Sequence, residues 1–269
     1  MEEYRKLANT IRAYAVRMTH RGKSGHVGSS LSMADLLAVL YTKILRVDPK
    51  RPDWPERDRF ILSKGHAGAG VYAVLAEKGF IPHDWLDTYY QDDGRLSGHI
   101  SHHVPGVEFS TGSLGHGLPV AAGMAIAAKQ DGKTHRIFCL MSDGDCNEGS
   151  TWEAIMFAAQ HHLDNLVAIV DYNKIQALGR TRDIIDLEPL AEKIQTFHWA
   201  VREIDGHNYR EIESALSGVP FERAKPSFVI AHTIKGKGVS LFEDTVSCHY
   251  KHANEEELKQ AYQELGVYL

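Results

Sequence analysis

Two short polar segments carry residue types suited to holding a hard cation: Ser142-Asp143-Gly144-Asp145-Cys146-Asn147-Glu148-Gly149 and Asp171-Tyr172-Asn173. Each follows a short apolar, β-branched run, 136–141 (RIFCLM) and 166–171 (LVAIVD), of the kind that forms a buried parallel strand. An open α/β sheet places its ligand crevice beyond the carboxyl ends of its strands, so Asp145 and Asn173 are candidate oxygen ligands facing one crevice. Mg²⁺ takes oxygen ligands and keeps part of its shell for phosphate. Gly144 and Gly149 leave room for backbone to approach such a group. The pair points to a metal-bridged diphosphate site. Asp-Gly and Tyr-Asn are also ordinary turn formers, and these two segments by themselves leave both readings open.

Four further segments set a histidine or a turn among small residues. They are Ser24-Gly25-His26-Val27-Gly28, Ser63-Lys64-Gly65-His66-Ala67-Gly68, Ser97-Gly98-His99 and Ser110-Thr111-Gly112-Ser113-Leu114-Gly115-His116-Gly117. Imidazoles bond phosphate oxygens and sugar hydroxyls and relay protons near neutral pH. The pairs His102-His103 and His161-His162 read instead as surface residues.

The elements that must position these groups are legible from periodicity. Helical patterns cover about 4–20, 32–44, 67–78, 117–131, 151–162, 208–217 and 255–265, and strand-like runs about 59–63, 137–141, 166–171, 199–204 and 227–232. Helices alternating with short apolar strands predict an α/β fold, a doubly wound parallel sheet with helices on both faces. Ser150 and Glu153 have capping-box spacing for the helix to about 162, whose Ala154, Phe157, Ala158 and His161 share a face. A right-handed βαβ crossover then brings both acidic loops to one sheet edge. No repeat or linker divides the chain, which reads as a single domain over 1–269. Residues 46–57 hold three prolines and read as surface loop, and the aperiodic, glycine-rich 94–117 is long enough to be functional.

Composition bounds the function. Thirty basic against thirty-five acidic residues give net −5, so no nucleic-acid-binding field is expected. The charged amphipathic start lacks a signal peptide's apolar core, and no stretch is apolar for long enough to span a membrane. Three cysteines without zinc-like spacing fit a reducing compartment. The expectation is a soluble cytoplasmic protein.

With the SGHVG, SKGHAG, SGH, STGSLGHG, GDCNEG, DYNKI and IKGKGVSLFED segments in this order, the chain resembles the amino-terminal half of transketolase from end to end, as found in split, two-subunit transketolases. The resemblance implies thiamine diphosphate with Mg²⁺ (or Ca²⁺), and transfer of a two-carbon glycolaldehyde unit from a ketose to an aldose. It implies that Asp145, Asn173 and the Ile175 carbonyl hold the metal, with 173 − 145 = 28 positions close to the family's gap. It also implies that His66, Gly144 and the Cys146 amide meet the diphosphate and that Gly112, Ser113 and Leu114 support the aminopyrimidine. His249 would face diphosphate and substrate, and His26 and His99 would contact donor hydroxyls.

Departures from the family pattern are Cys146 in place of a glycine, where a positive φ would be strained, His116 for glutamine, and Val27 and Ile100 for prolines. They fit either a general transketolase or one tuned to an unusual sugar. The family's activating glutamate and phosphate-gripping basic residues lie in its other half. The implied partner is therefore a carboxyl-terminal subunit, in an α₂β₂ assembly, docking on loops 94–117 and 174–188 with Leu118, Met124, Trp152 and Met156 as candidate contacts. A nicotinamide-binding fold is a weaker reading, because Gly65 to Gly70 only partly matches Gly-x-Gly-x-x-Gly. Decarboxylating thiamine enzymes share the metal loops but fit the SGHVG and IKGKG segments less well, and a non-catalytic scaffold protein is the non-enzyme alternative.

Overall fold

The structure, a computed structural model, describes residues 1–269. Five strands, β1 (Arg59–Leu62), β2 (Ile137–Ser142), β3 (Leu166–Tyr172), β4 (Ala200–Asp205) and β5 (Ser227–His232), form one sheet in the order β1-β2-β3-β5-β4. All four pairings are parallel. Ser142 lies opposite Asp171, and Asp171 opposite Ala231, so the ends of β2, β3 and β5 are level. That register delivers the loops after these strands to one edge.

The helices are α1 (Glu2–Arg21), α2 (Val27–Ser32), α3 (Ala34–Val39), α4 (Gly68–Glu77), α5 (Gly117–Gln130), α6 (Gly149–Gln160), α7 (Thr181–Ile184), α8 (Leu190–Thr196), α9 (Tyr209–Ser217) and α10 (Glu255–Leu265). Strand side chains alternate between two apolar layers. On β2, Phe138 and Leu140 join a layer of 51 buried residues under α1–α4, α9 and α10. Ile137, Cys139 and Met141 join a layer of 24 under α5, α6 and α8. Both faces are covered, as the short, mostly apolar runs of β2, β3 and β5 require.

Two local expectations differ. The helix expected over 32–44 begins at Val27, breaks at Met33 and ends in a single π turn, Leu40–Ile44. Every residue of α2 is buried, so no polar face exists to give a periodic signal. Its serines instead bond across the core, Ser30 Oγ to the Ala67 carbonyl (3.2 Å) and Ser32 Oγ to Asp171 (2.5 Å). The capping box at Ser150 and Glu153 does not form: α6 begins at Gly149, and Ser150 Oγ donates to the Gly115 carbonyl at 2.8 Å. That earlier start buries Ala154, Ile155 and Ala158, whereas Phe157 is 40% exposed and stacks on His161.

A buried ion pair ties α1 to α3. Arg12 donates to both Asp35 oxygens (3.2 and 2.5 Å), and Tyr209 Oη and His207 Nδ1 each reach Asp35 at 2.7 Å. Burial raises the Asp35 carboxyl, but the Arg12 guanidinium and His207 outweigh it and hold the pKa at about 2, below the ordinary 3.8. A depressed folded-state pKa stabilises above the unfolded value and is lost as pH falls through the folded one. Between pH 4 and 2 the fold should lose about 2 kcal/mol from this group. Urea titrations across that range check it, and Asp35→Asn should flatten that part of the profile.

Candidate active site

Four strand ends feed one cavity of about 270 Å³. His66 follows β1, Asp143 and Gly144 follow β2, Asn173 and Ile175 to Ala177 follow β3, and Lys235 follows β5. His26 and Ser29 from the start of α2, Ser142 at the end of β2, His99, Gly112 and Leu114 from the long loop, and His249 complete the lining. His26 is left-handed (φ 69°, ψ 13°), a conformation costing a non-glycine residue roughly 1 kcal/mol, and its N–H donates to the His249 carbonyl at 2.8 Å. A Cβ at Gly28 would stand 2.2 Å from Cys248 Sγ, so only glycine lets the His249 segment close on α2.

His26 is the hub of an imidazole cluster, with ring centroids 5.0 Å from His66, 5.9 Å from His99 and 4.7 Å from His249. Burial pulls the His249 pKa down to about 3, helped by Lys235 and His26. Burial likewise lowers His66 well below its ordinary value, with the neighbouring histidines and lysines adding to it, and lowers His26. These three rings are therefore neutral near pH 7. A neutral imidazole offers one N–H and one lone pair, a match for sugar hydroxyls.

The acidic loop differs from expectation. Asp145 is 0% exposed and does not line the cavity. Its Oδ1 accepts from Ser63 Oγ (2.6 Å) and the Gly115 N–H (2.8 Å), and its Oδ2 from the Ser142 N–H (2.8 Å) and hydroxyl (2.9 Å). A carboxylate has about four acceptor sites, so none is left for a metal. Asp143, two residues earlier, faces the cavity instead. It accepts only from the Gly144 N–H (2.9 Å) and Thr181 Oγ1 (2.6 Å). Burial raises its pKa against the pull of the Thr181 hydroxyl, with Asp171 adding to the rise and Lys235 opposing it. A buried carboxylate of this kind calls for a cation.

Cys146 is also displaced from its expected place. Its N–H donates to the Asp143 carbonyl at 3.0 Å, so that amide is not free for a phosphate. Its side chain packs in the layer under α5 and α6, and its φ is not positive, so the expected strain is absent. Ser113 is exposed and outside the cavity, as is His116. His26, His66, His99, His249, Gly112, Leu114, Gly144, Asn173 and Ile175 all converge on it.

A buried charge pair sets the floor. Lys64 donates to Asp171 and to the Ser29 carbonyl (3.0 Å), and Thr233 also donates to Asp171. Asp171 accepts from Asn173 Nδ2 at 3.2 Å, and the Asn173 amide oxygen accepts from the Ile175 N–H at 3.2 Å, which leaves that oxygen one further acceptor site. Lys235 is the residue sequence reasoning missed. It is 1% exposed, and its Nζ donates to the Ile175 carbonyl at 2.8 Å and lies 3.2 Å from His249 Nδ1. The available signal was its place three residues beyond β5, on the same edge as the other loops. No three His, Cys, Asp or Glu side chains converge as a metal site in the chain; what this cavity offers a cation is a carboxylate, an amide oxygen and a carbonyl.

The resemblance divides the histidines between cofactor and donor. His66→Ala should weaken cofactor binding about tenfold, whereas His26→Ala should chiefly raise the donor KM or lower turnover. Calorimetric titration beside steady-state kinetics checks this, and the opposite ranking refutes the division.

Comparison with known proteins gives a consistent pattern. Residues 3–268 match the family described as transketolase, thiamine diphosphate binding domain. The chain is 44% identical to an apulose-4-phosphate transketolase subunit of Actinobacillus succinogenes over 266 residues, covering 98% of this chain and 96% of that protein. It is also 44% identical to the 6-deoxy-6-sulfo-D-fructose transketolase subunit SqwG of Clostridium sp. (strain MSTE9), covering 96% and 94%. The transketolase of Campylobacter jejuni superposes with a TM-score of 0.94 at 34% identity, over 99% of this chain and 43% of that one. The chain thus spans less than half of that transketolase but nearly all of the other two proteins.

Proposed function

Because the chain belongs to the transketolase family and forms its thiamine diphosphate-binding domain, we propose that it is one component of a two-subunit transketolase moving a glycolaldehyde unit from a ketose donor to an aldose acceptor. The observation that carries this reading is the convergence of four imidazoles, one cation-seeking carboxylate and one buried lysine beyond β1, β2, β3 and β5.

The residues fit the cofactor. Asp143 is buried with no basic side chain bonded to it, Lys235 is a buried cation in the same space, and Gln176 Nε2 is a buried donor without a partner. Asp143, the Asn173 amide oxygen and the Ile175 carbonyl would hold a divalent cation, Mg²⁺ or Ca²⁺. A carbonyl has two acceptor sites, so Ile175 can serve both Lys235 and a cation. Lys235, His66 and His249 would face the diphosphate, and Gly112 and Leu114 the aminopyrimidine. When bound, thiamine diphosphate supplies the carbanion chemistry that breaks and forms the bond beside a ketose carbonyl. His26 and His99 would hold donor hydroxyls, each with one N–H to give and one lone pair to receive a proton.

The partner reading rests on relatives that are themselves named as transketolase subunits and on exposed apolar surface. Met156 is 50% and Leu178 85% exposed, and Trp152 and Met124 are only half-buried, whereas Leu118 is sealed in the core and leaves the set of candidate contacts. A carboxyl-terminal partner, in an α₂β₂ assembly, would cover this surface. Three free, buried cysteines support a reducing, cytoplasmic setting.

For substrate, the relatives named for apulose 4-phosphate and 6-deoxy-6-sulfo-D-fructose favour specialisation for an unusual sugar over general pentose phosphate chemistry. A donor panel with D-xylulose 5-phosphate, apulose 4-phosphate and 6-deoxy-6-sulfo-D-fructose, run on the reconstituted complex, tests both. Cofactor binding without transfer from any donor would favour the scaffold reading.

A further inference from the structure

A second cavity of about 210 Å³ shares His26 and His99 with the first and extends from them between the Lys23–Gly25 segment and the Tyr89–Tyr90 turn. Its far end is open, since Lys23 and Tyr90 are exposed. The walls are held firmly. Lys23 and Tyr90 are left-handed (φ 45° and 54°), and the Tyr90 N–H donates to the Leu96 carbonyl at 2.7 Å. A Cβ at Gly98 would stand 2.7 Å from the Tyr90 ring, and one at Gly22 would stand 2.9 Å from the Tyr89 carbonyl oxygen. Two glycines thus clamp the tyrosine turn.

Within this chamber the Ser24 hydroxyl is buried and has no hydrogen-bond partner, although the Ser24 N–H is fixed to the Thr19 carbonyl at 3.0 Å. The neighbouring Tyr89 hydroxyl donates to the Gly98 carbonyl at 3.2 Å; its oxygen lies near Ser24 but outside hydrogen-bond geometry. A buried hydroxyl left unpaired is costly, and a ligand hydroxyl would remove that cost. The lining holds one ammonium, Lys23, and no carboxylate. A polyol entering from the shared histidines would meet a hydroxyl reader first and a cation at the mouth.

We propose that this side chamber receives the chain of the ketose donor beyond the bond that breaks, with Ser24 reading one of its hydroxyls and Lys23 an anionic end group. The proposal rests on the transketolase reading above. It makes Ser24 and Lys23 specificity-determining residues supplied by this chain, separate from any contacts the partner adds.

The test uses the complex reconstituted with its partner, and two kinds of donor. One is the ketose phosphate or sulfonate turned over best in the panel. The other is hydroxypyruvate, which carries the transferable two carbons and no sugar chain. Ser24→Ala should cut kcat/KM for the ketose relative to hydroxypyruvate by about tenfold, the value of one hydrogen bond to a substrate hydroxyl. Lys23→Gln, a change at an exposed position, should lower the affinity ratio of xylitol 5-phosphate to xylitol by roughly fivefold in calorimetry, with the difference shrinking in high salt. A sulfonated ketose that responds to Lys23→Gln when xylitol 5-phosphate does not would identify sulfonate as the anion read. Unchanged ratios in both variants, or equal losses on ketose and hydroxypyruvate, would overturn the chamber assignment while leaving the transketolase reading in place. A parent complex that transfers nothing from either donor would overturn both.

Discussion

Asp143→Ala is expected to abolish metal-dependent thiamine diphosphate binding while leaving the fold almost as stable as before. The substitution removes the only carboxylate lining the main cavity. Losing a first ligand of the cation should weaken cofactor affinity by about 4 kcal/mol, roughly a thousandfold. The cost to the fold is small, since only the Gly144 N–H and the Thr181 hydroxyl lose a partner and a poorly stabilised buried charge goes with them. Asp145→Ala should behave in the opposite way. It strands donors on Ser63, Gly115 and Ser142 at once, and should destabilise by about 3 kcal/mol. Urea unfolding of both variants, beside cofactor titration with and without Mg²⁺, separates the roles. A stable Asp145→Ala variant blind to cofactor, with Asp143→Ala binding normally, would restore the assignment read from sequence.

The second large effect is all-or-none: the purified chain should show no glycolaldehyde transfer with any sugar pair, and activity should appear when the partner is added. Asp143 is the only acid in either cavity, and in the proposed site it is committed to the cation. No second carboxylate remains there to manage the cofactor's protons, so that group must come from elsewhere. In the proposed assembly the exposed surface of α6 would face the partner. Met156→Lys changes a half-exposed residue, so the chain should still fold, but partner affinity should fall about a hundredfold if Met156 lies in the centre of the interface. Sedimentation of the mixed subunits and titration of activity with partner give the two readouts. Transfer by the isolated chain would refute the half-site view.

Much of the molecule was legible without coordinates, because the information was local. Each strand is a short apolar run beside polar punctuation, and each of the five forms within two residues of its expected place. The glycine–histidine segments announced their chemistry through residue type, and three of their histidines, His26, His66 and His99, do meet at one cavity, where His249 joins them. What failed were statements about direction. Helix α2 was invisible because it is buried on every side, and Ser150 spends its hydroxyl on Gly115, which lies 35 positions away in sequence.

The choice between Asp143 and Asp145 shows the boundary most clearly. The two acids flank Gly144, and both fit a motif of oxygen ligands equally well. Strand β2 ends at Ser142, and the chain then turns through a 3₁₀ segment, Gly144–Asn147, which swings Asp145 away from the crevice. Donors from Ser63 and Gly115, 82 and 30 positions distant in sequence, hold it there. Lys235 enters the cavity for a similar reason, because β5 inserts beside β3 and aligns its end with Asn173. Sequence determined which residue types and which strands build this protein, since propensity and patterning act over a few residues. Which acid faces the cavity and which lysine reaches it were settled by partners far away in the chain, and only the tertiary structure brings those together.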